Sequence, residues 1–230
     1  MKYGKEFWIN EIGKDWTREL KETLRTPYAN KLMEFVSVEY AMHSVNPLRE
    51  DVFRAFKLCP WKDVKIVIVG IEPSHVSLSS GLAYGDKHVM QFHVAELGKI
   101  FDCIEREYYL NDGSVYLDFD FSLDHWAKQG VLLLNKSLTV RNGEPKSHSK
   151  PWGKFVSAAL NAVNENTTGT IFILWGKEAQ QLKPHISKNN YVFTFDAPGD
   201  YVYPAKDWSC PNFKEVDKLM MDLTGKTIKW

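Results

Sequence analysis

Val64-Lys65-Ile66-Val67-Ile68-Val69-Gly70-Ile71-Glu72-Pro73-Ser74-His75 is the stretch on which the fold turns. An apolar run rich in Val and Ile stops at Gly70 and is followed by a carboxylate, a proline and a histidine. The run has the length of a strand and no polar alternation, so it reads as a strand buried on both faces of a parallel sheet. Open α/β sheets hold ligands in the crevice beyond the carboxyl ends of their strands. Glu72 and His75 are therefore expected at the mouth of a site, although an ordinary strand-to-loop turn would look the same within this segment alone.

Three further short apolar runs repeat the pattern. Gly130 to Asn135, Thr170 to Gly176 and Tyr191 to Phe195 are predicted strands, and each ends in a polar or glycine-rich turn. Between and around them lies helical spacing: Asp15 to Glu39, broken at Pro27-Tyr28, then Asp51 to Phe56, Val94 to Tyr109, Lys154 to Asn164, Glu178 to Leu182 and Phe213 to Leu223. Helices alternating with short apolar strands predict an α/β fold, a single domain over residues 1–230. Its centre would be a mainly parallel four-stranded sheet flanked by helices. All four strand ends would then lie along one rim, and separate segments would converge on one cleft.

Composition agrees with a globular chain: 44% hydrophobic and 25% charged residues, with a formal net charge of zero. No apolar run is long enough for a membrane span, and the first residues lack the apolar core of a signal peptide. Three scattered cysteines (Cys59, Cys103, Cys210) suggest neither a disulfide framework nor a zinc site, so a cytoplasmic, reducing setting is expected. The neutral balance does not itself point to nucleic acid. Between Lys136 and Lys188, however, eight Lys or Arg residues face only Glu144, Glu165 and Glu178, which fits either a phosphate-binding face or a solvated lysine-rich surface.

At the strand ends the chain resembles the uracil-DNA glycosylase superfamily, its family-1 enzymes most closely. The resemblance rests on Trp126 to Asn135 with Leu138-Thr139-Val140, on Ser147-His148, Trp152 and Phe155, on Leu174-Trp175-Gly176 with Ala179-Gln180, and on Lys226 to Trp230. It spans nearly the whole chain. It implies an enzyme that flips a nucleotide out of DNA, hydrolyses its N-glycosidic bond and leaves an abasic site. DNA is the implied partner; no metal or cofactor is implied, and a monomer is expected.

The base pocket departs from the family pattern. Where the family has Gly-Gln-Asp-Pro-Tyr-His, this chain has Gly70-Ile71-Glu72-Pro73-Ser74-His75. The resemblance makes Glu72 the catalytic carboxylate, one methylene longer than the family's aspartate. A displacement of about 1 Å can cost about 10²-fold in rate. Ser74 stands where the family's tyrosine excludes a methyl group at C5, which implies room for a 5-substituent. Tyr84 matches the ring that stacks on the base, Asn135 the amide that reads its edge, and Ile71 borders the pocket. Ala197 falls where a histidine stabilises the departing base, and the neighbouring Asp196 is a candidate to meet a cytosine-like base instead. Tyr201 replaces the leucine wedge, Gly199 a phosphate-gripping serine, and His75, His148 and Lys177 are candidate DNA contacts.

The clustering of changes around the pocket implies altered substrate choice: a pyrimidine with a bulky or polar 5-substituent, such as the hydroxymethylated or glycosylated bases of phage DNA, and hence an antiviral role. An ordinary uracil-DNA glycosylase with a compensated site, a non-catalytic DNA-binding protein and an enzyme of free nucleosides are the alternatives. His43, His88, His93, His125 and His185 show no ligand-like spacing.

Overall fold

The computed structural model describes residues 3–87, 95–109, 120–203 and 206–230. Strands β2 (Ile66–Gly70), β3 (Val131–Asn135) and β5 (Ile171–Trp175) consist wholly of buried residues. Strand β6 (Tyr191–Phe195) is partly exposed. They form one parallel sheet in the order β3-β2-β5-β6, as the apolar runs predict. The two inner strands, β2 and β5, have a strand neighbour on each side; of the two edge strands, β3 is wholly buried and β6 stays partly exposed. The register pairs Gly70 with Asn135, which sets the first two strand ends side by side. Two-residue strands β1 (Val45–Asn46) and β4 (Val140–Arg141) pair antiparallel; segments so short carry no periodic signal in the sequence.

The helices are α1 (Lys5–Glu19), α2 (Lys21–Leu24), α3 (Pro27–Met42), α4 (Arg54–Leu58), α5 (Ala95–Tyr108), α6 (Asp124–Lys128), α7 (Ser149–Asn166), α8 (Gly176–Gln180) and α9 (Asn212–Thr224). Several bounds differ from the sequence expectation. The first helix begins ten residues before Asp15, because Trp8, Ile12 and Trp16 form one buried stripe. Pro27 opens α3 rather than merely ending what precedes it, as its fixed φ and missing N–H allow. Helix α7 starts at Ser149, with Pro151 tolerated in its first turn for the same reason. The expected helix at Asp51–Phe56 is split into a 3-10 turn at Arg49–Asp51 and α4. Asp51 is drawn inward by Arg54 and Lys87. Val94, His88 and His93 lie outside the described residues.

A single cluster of buried side chains runs through the molecule, with Trp8, Phe53, Phe56, Trp152 and Phe155 packed on one side and Trp126, Trp175, Trp208, Phe213 and Trp230 on the other. Edge-to-face contacts dominate both groups, the arrangement aromatic quadrupoles favour. This rigid body fixes the carboxyl rim of the sheet. No helix among the described residues is long and apolar enough to cross a membrane.

Candidate active site

A cavity of about 580 Å³ opens at the carboxyl ends of β2, β3 and β5, a size suited to a small organic ligand. Its walls come from the segments that the sequence places at the rim: residues 70–76, Tyr84, Asn135, Trp175 to Glu178 and Ala197 to Asp200.

The loop after β2 is braced from several directions. Lys136 and Ser137 donate backbone N–H groups to Gly70 and Ile71 at 2.9 and 3.0 Å. The Asn46 amide donates to the Ser74 carbonyl at 3.0 Å and the Ser77 carbonyl at 2.7 Å. Gly143 N–H donates to the His75 carbonyl at 2.9 Å. Both Glu72 carboxylate oxygens accept the backbone N–H of Lys146, at 3.0 and 2.8 Å. Burial pushes the Glu72 pKa up, an effect opposed by that N–H and by the charges of His75 and Lys146, and reinforced by Glu178. The Ser74 hydroxyl oxygen accepts the N–H groups of Val76 and Ser77. Its proton remains for a ligand.

Asn135, 3% exposed, ends β3, and its Oδ1 is buried without a hydrogen-bond partner. A native interior rarely leaves a buried acceptor in that state, and a ligand site is one of the recognised reasons. Gly70 makes the placement possible, because a Cβ there would collide with Asn135 Oδ1. Tyr84 holds a left-handed backbone (φ 67°) and stands edge-on to Trp175, with ring centroids 5.6 Å apart. A non-glycine residue kept in that region is a mark of functional sites. Its hydroxyl is held protonated by burial and by the nearby Glu96.

Ile71 (44% exposed), Ser74, His75, Lys177, Ala197 and Gly199 all line the cavity. Three others lie outside the lining: Asp196, expected at the base, and His148 and Tyr201, expected at DNA. His148 is 1% exposed, with its ring between Glu39 and Thr139, so it cannot reach DNA. Asp196 is exposed and outside the cavity lining, where its carboxylate accepts the Tyr201 hydroxyl at 2.8 Å. Tyr201 is thereby turned onto Asp196, its ring half-buried against the core rather than standing out as a wedge. One contact accounts for both placements: the Asp196 carboxylate and the Tyr201 hydroxyl satisfy each other across the turn at Pro198–Tyr201.

The structure adds side chains that the sequence did not single out. Glu96, in the first turn of α5, lines the cavity beside Gly199, and only its acidic character at a helix start hinted at anything. With Glu72, Glu178 and Asp200 it gives the lining four carboxylates against Lys146 and Lys177. Three cations of the lysine-rich stretch are engaged within the molecule. Arg141 is spent on Glu39 and Glu144, Lys146 Nζ pairs with Glu178 at 3.1 Å, and Lys154 lies over the Tyr28 ring. Among the described residues no group of three or more His, Cys, Asp and Glu side chains could hold a metal ion.

A carboxylate, an unsatisfied buried amide oxygen and an aromatic ring meet at the carboxyl rim of a parallel sheet, where open α/β proteins hold their ligands. Residues 56–223 match the family model described as "Uracil DNA glycosylase superfamily". The chain is 31% identical to a uracil-DNA glycosylase of Fusobacterium nucleatum, covering 96% of this chain and 97% of that one. It is 37% identical to one from Anoxybacillus flavithermus, covering 94% and 95%. The crystal structure of mimivirus uracil-DNA glycosylase shares the fold, with a TM-score of 0.80 at 19% identity over 94% of this chain and 86% of that one. The chain belongs to the uracil-DNA glycosylase superfamily.

Proposed function

We propose that this protein is a monofunctional DNA glycosylase that hydrolyses the N-glycosidic bond of a flipped pyrimidine and leaves an abasic site. The observation that carries the reading is the unpartnered Oδ1 of Asn135, a residue that lines the same cavity as Glu72 and Tyr84. Full-length relatives named uracil-DNA glycosylase support the reaction class.

The residues divide the work. Tyr84 offers its π-face to the base, since base stacking on an aromatic ring is tolerant of identity. Asn135 supplies an acceptor and donors to the pyrimidine edge. Ionised Glu72 stabilises the cationic sugar as the bond to the base lengthens and orients the water that adds to C1′. The bond electrons leave with the base, which takes up the proton the water releases.

The finer part of the proposal concerns the base. Ser74 is small, and its hydroxyl proton is available to a polar substituent at C5. Ala197 offers no cation to a departing anion, and the carboxylates of the lining oppose one, so the proton that the attacking water releases must reach the base as the bond breaks. These features support a 5-substituted pyrimidine, including the hypermodified bases of phage genomes, whose removal would scatter abasic sites through invading DNA. The second reading is plain uracil, favoured by the names of the relatives.

One experiment separates the two. Purified protein is incubated with uracil-containing duplex and with genomic DNAs bearing different pyrimidine modifications, and released bases are identified by mass spectrometry. Release of substituted pyrimidines with little uracil supports the first reading; uracil alone establishes the second; no base from any DNA defeats both.

A further inference from the structure

Beneath the turn that holds Glu72 lies an ionic network that no step of the hydrolysis uses. Glu39, in the last turn of α3, is 6% exposed. Its carboxylate accepts Arg141 Nε at 2.6 Å, Arg141 Nη2 at 2.9 Å and His148 Nε2 at 3.1 Å. On its other side His148 Nδ1 lies 2.8 Å from Thr139 Oγ1, which accepts the Trp152 indole N–H at 2.7 Å. One arrangement satisfies every partner: a neutral imidazole with its proton on Nε2, and Thr139 donating to Nδ1. Burial, which lowers the His148 pKa, agrees with that state.

Arg141 and His148 are the two ends of the turn that contains Lys146. Within it, Arg141 N–H donates to Ser147 Oγ at 3.0 Å, Glu144 N–H to the Arg141 carbonyl at 3.1 Å, and Lys146 takes a left-handed conformation (φ 64°). That conformation presents the Lys146 N–H to Glu72. Resting on the assignment of Glu72 as the catalytic carboxylate, we propose that Glu39 is a positioning residue. It clamps both ends of the 141–148 turn and so fixes the one backbone N–H that aims Glu72 into the cavity.

The chemistry predicts a signature that a merely structural ion pair would not give. The Lys146 N–H favours the ionised form of Glu72. The charged groups facing Glu72 are His75 and Lys146, which act in the same direction, and Glu178 on α8, which opposes them. Those facing the clamp are Arg141, His148, Glu144 and His43. If the clamp loosens, Glu72 loses its N–H, becomes harder to ionise, and the acidic limb of the kcat profile moves to higher pH.

The test compares wild type, Glu39→Gln and Arg141→Lys in steady-state base release across pH, with Glu72→Gln as control. Glu39→Gln is expected to lower kcat between about 10-fold and 100-fold, to leave KM for DNA nearly unchanged, and to shift the acidic limb upward. Arg141→Lys, which keeps the charge but loses the two-pronged contact, should fall between it and wild type. If Glu39→Gln lowers Tm while kcat and the limb match wild type, the proposal is overturned. Should Glu39→Gln not fold, Ser147→Ala cuts one bond inside the turn; a several-fold fall in kcat with the same shift supports the clamp, and an unchanged profile overturns it. Retained activity in Glu72→Gln would instead overturn the assignment of the catalytic carboxylate.

Discussion

The loop after β2 and the segment after β6 border the same cavity, yet they are held in opposite ways. Residues 71–77 are tied to Asn46, Ser137, Gly143 and Lys146, all distant in sequence. Residues 196–203 are held largely by their own short-range bonds, such as Asp200 N–H to the Ala197 carbonyl and the Tyr201 hydroxyl to Asp196. Trp208 adds a bond to the Asp196 carbonyl. The first segment carries the carboxylate on which the proposed hydrolysis depends; the second has Ala197 where the resemblance implies a histidine. Long-range bracing preorganises a charged group, the arrangement that electrostatic stabilisation of a transition state requires. A segment that satisfies itself locally contributes shape instead.

The sharpest way to break this contrast is Glu72→Gln, which keeps the size of the side chain and removes its charge. Single-turnover base release should fall by about 10² to 10⁴-fold, and a variant close to wild type would place the catalytic group elsewhere. Refilling the pocket is expected to come next. Ser74→Tyr should depress release of 5-substituted pyrimidines by about 10- to 200-fold relative to unsubstituted ones, the range for a crowded substrate pocket. Equal losses on both would deny that the Ser74 side of the cavity faces C5.

On the weaker segment, Ala197→His restores a group able to meet a departing anion. Uracil release should rise, by up to about 10²-fold if the imidazole reaches the base. An unchanged rate would mean that this position no longer faces the leaving group. The pH profile reads the braced loop directly. Glu72 must be ionised to act, and burial holds its pKa above the usual carboxylate range. Activity should therefore be full above that pKa and decline as pH falls through it, at a higher pH than for an exposed glutamate. An acidic limb at or below the ordinary glutamate value would contradict the burial. The smallest effect is expected from Tyr201→Phe, which removes only an exposed hydrogen bond to Asp196. A stability change within ~0.5 kcal/mol, measured by thermal unfolding, and a near wild-type rate would confirm that this pair is peripheral; a large loss of rate would return Tyr201 to the role of DNA wedge that the resemblance implies.

The sheet was legible in the sequence because burial on both faces removes polar residues from consecutive positions. Ile66–Gly70, Val131–Asn135 and Ile171–Trp175 show that pattern and are wholly buried. The positions of Glu72, Ser74, Tyr84 and Asn135 at one cavity followed from where those runs end and from the family resemblance. His148 shows where such reasoning stops. A histidine beside a serine in a lysine-rich stretch suits a phosphate contact, yet the buried carboxylate of Glu39 claims its ring.

By itself, then, the order of residues determined the strands, their parallel arrangement and the rim on which a site would form, since each depends on patterns a few residues long. Tertiary structure alone decided that a backbone N–H 74 residues away holds Glu72, that Glu96 joins the cavity, and that Asp196 takes up Tyr201. Periodicity records which face of an element is buried. It does not record which of many polar groups will be neighbours once the chain closes, and hydrogen bonds within a few ångströms discriminate among them.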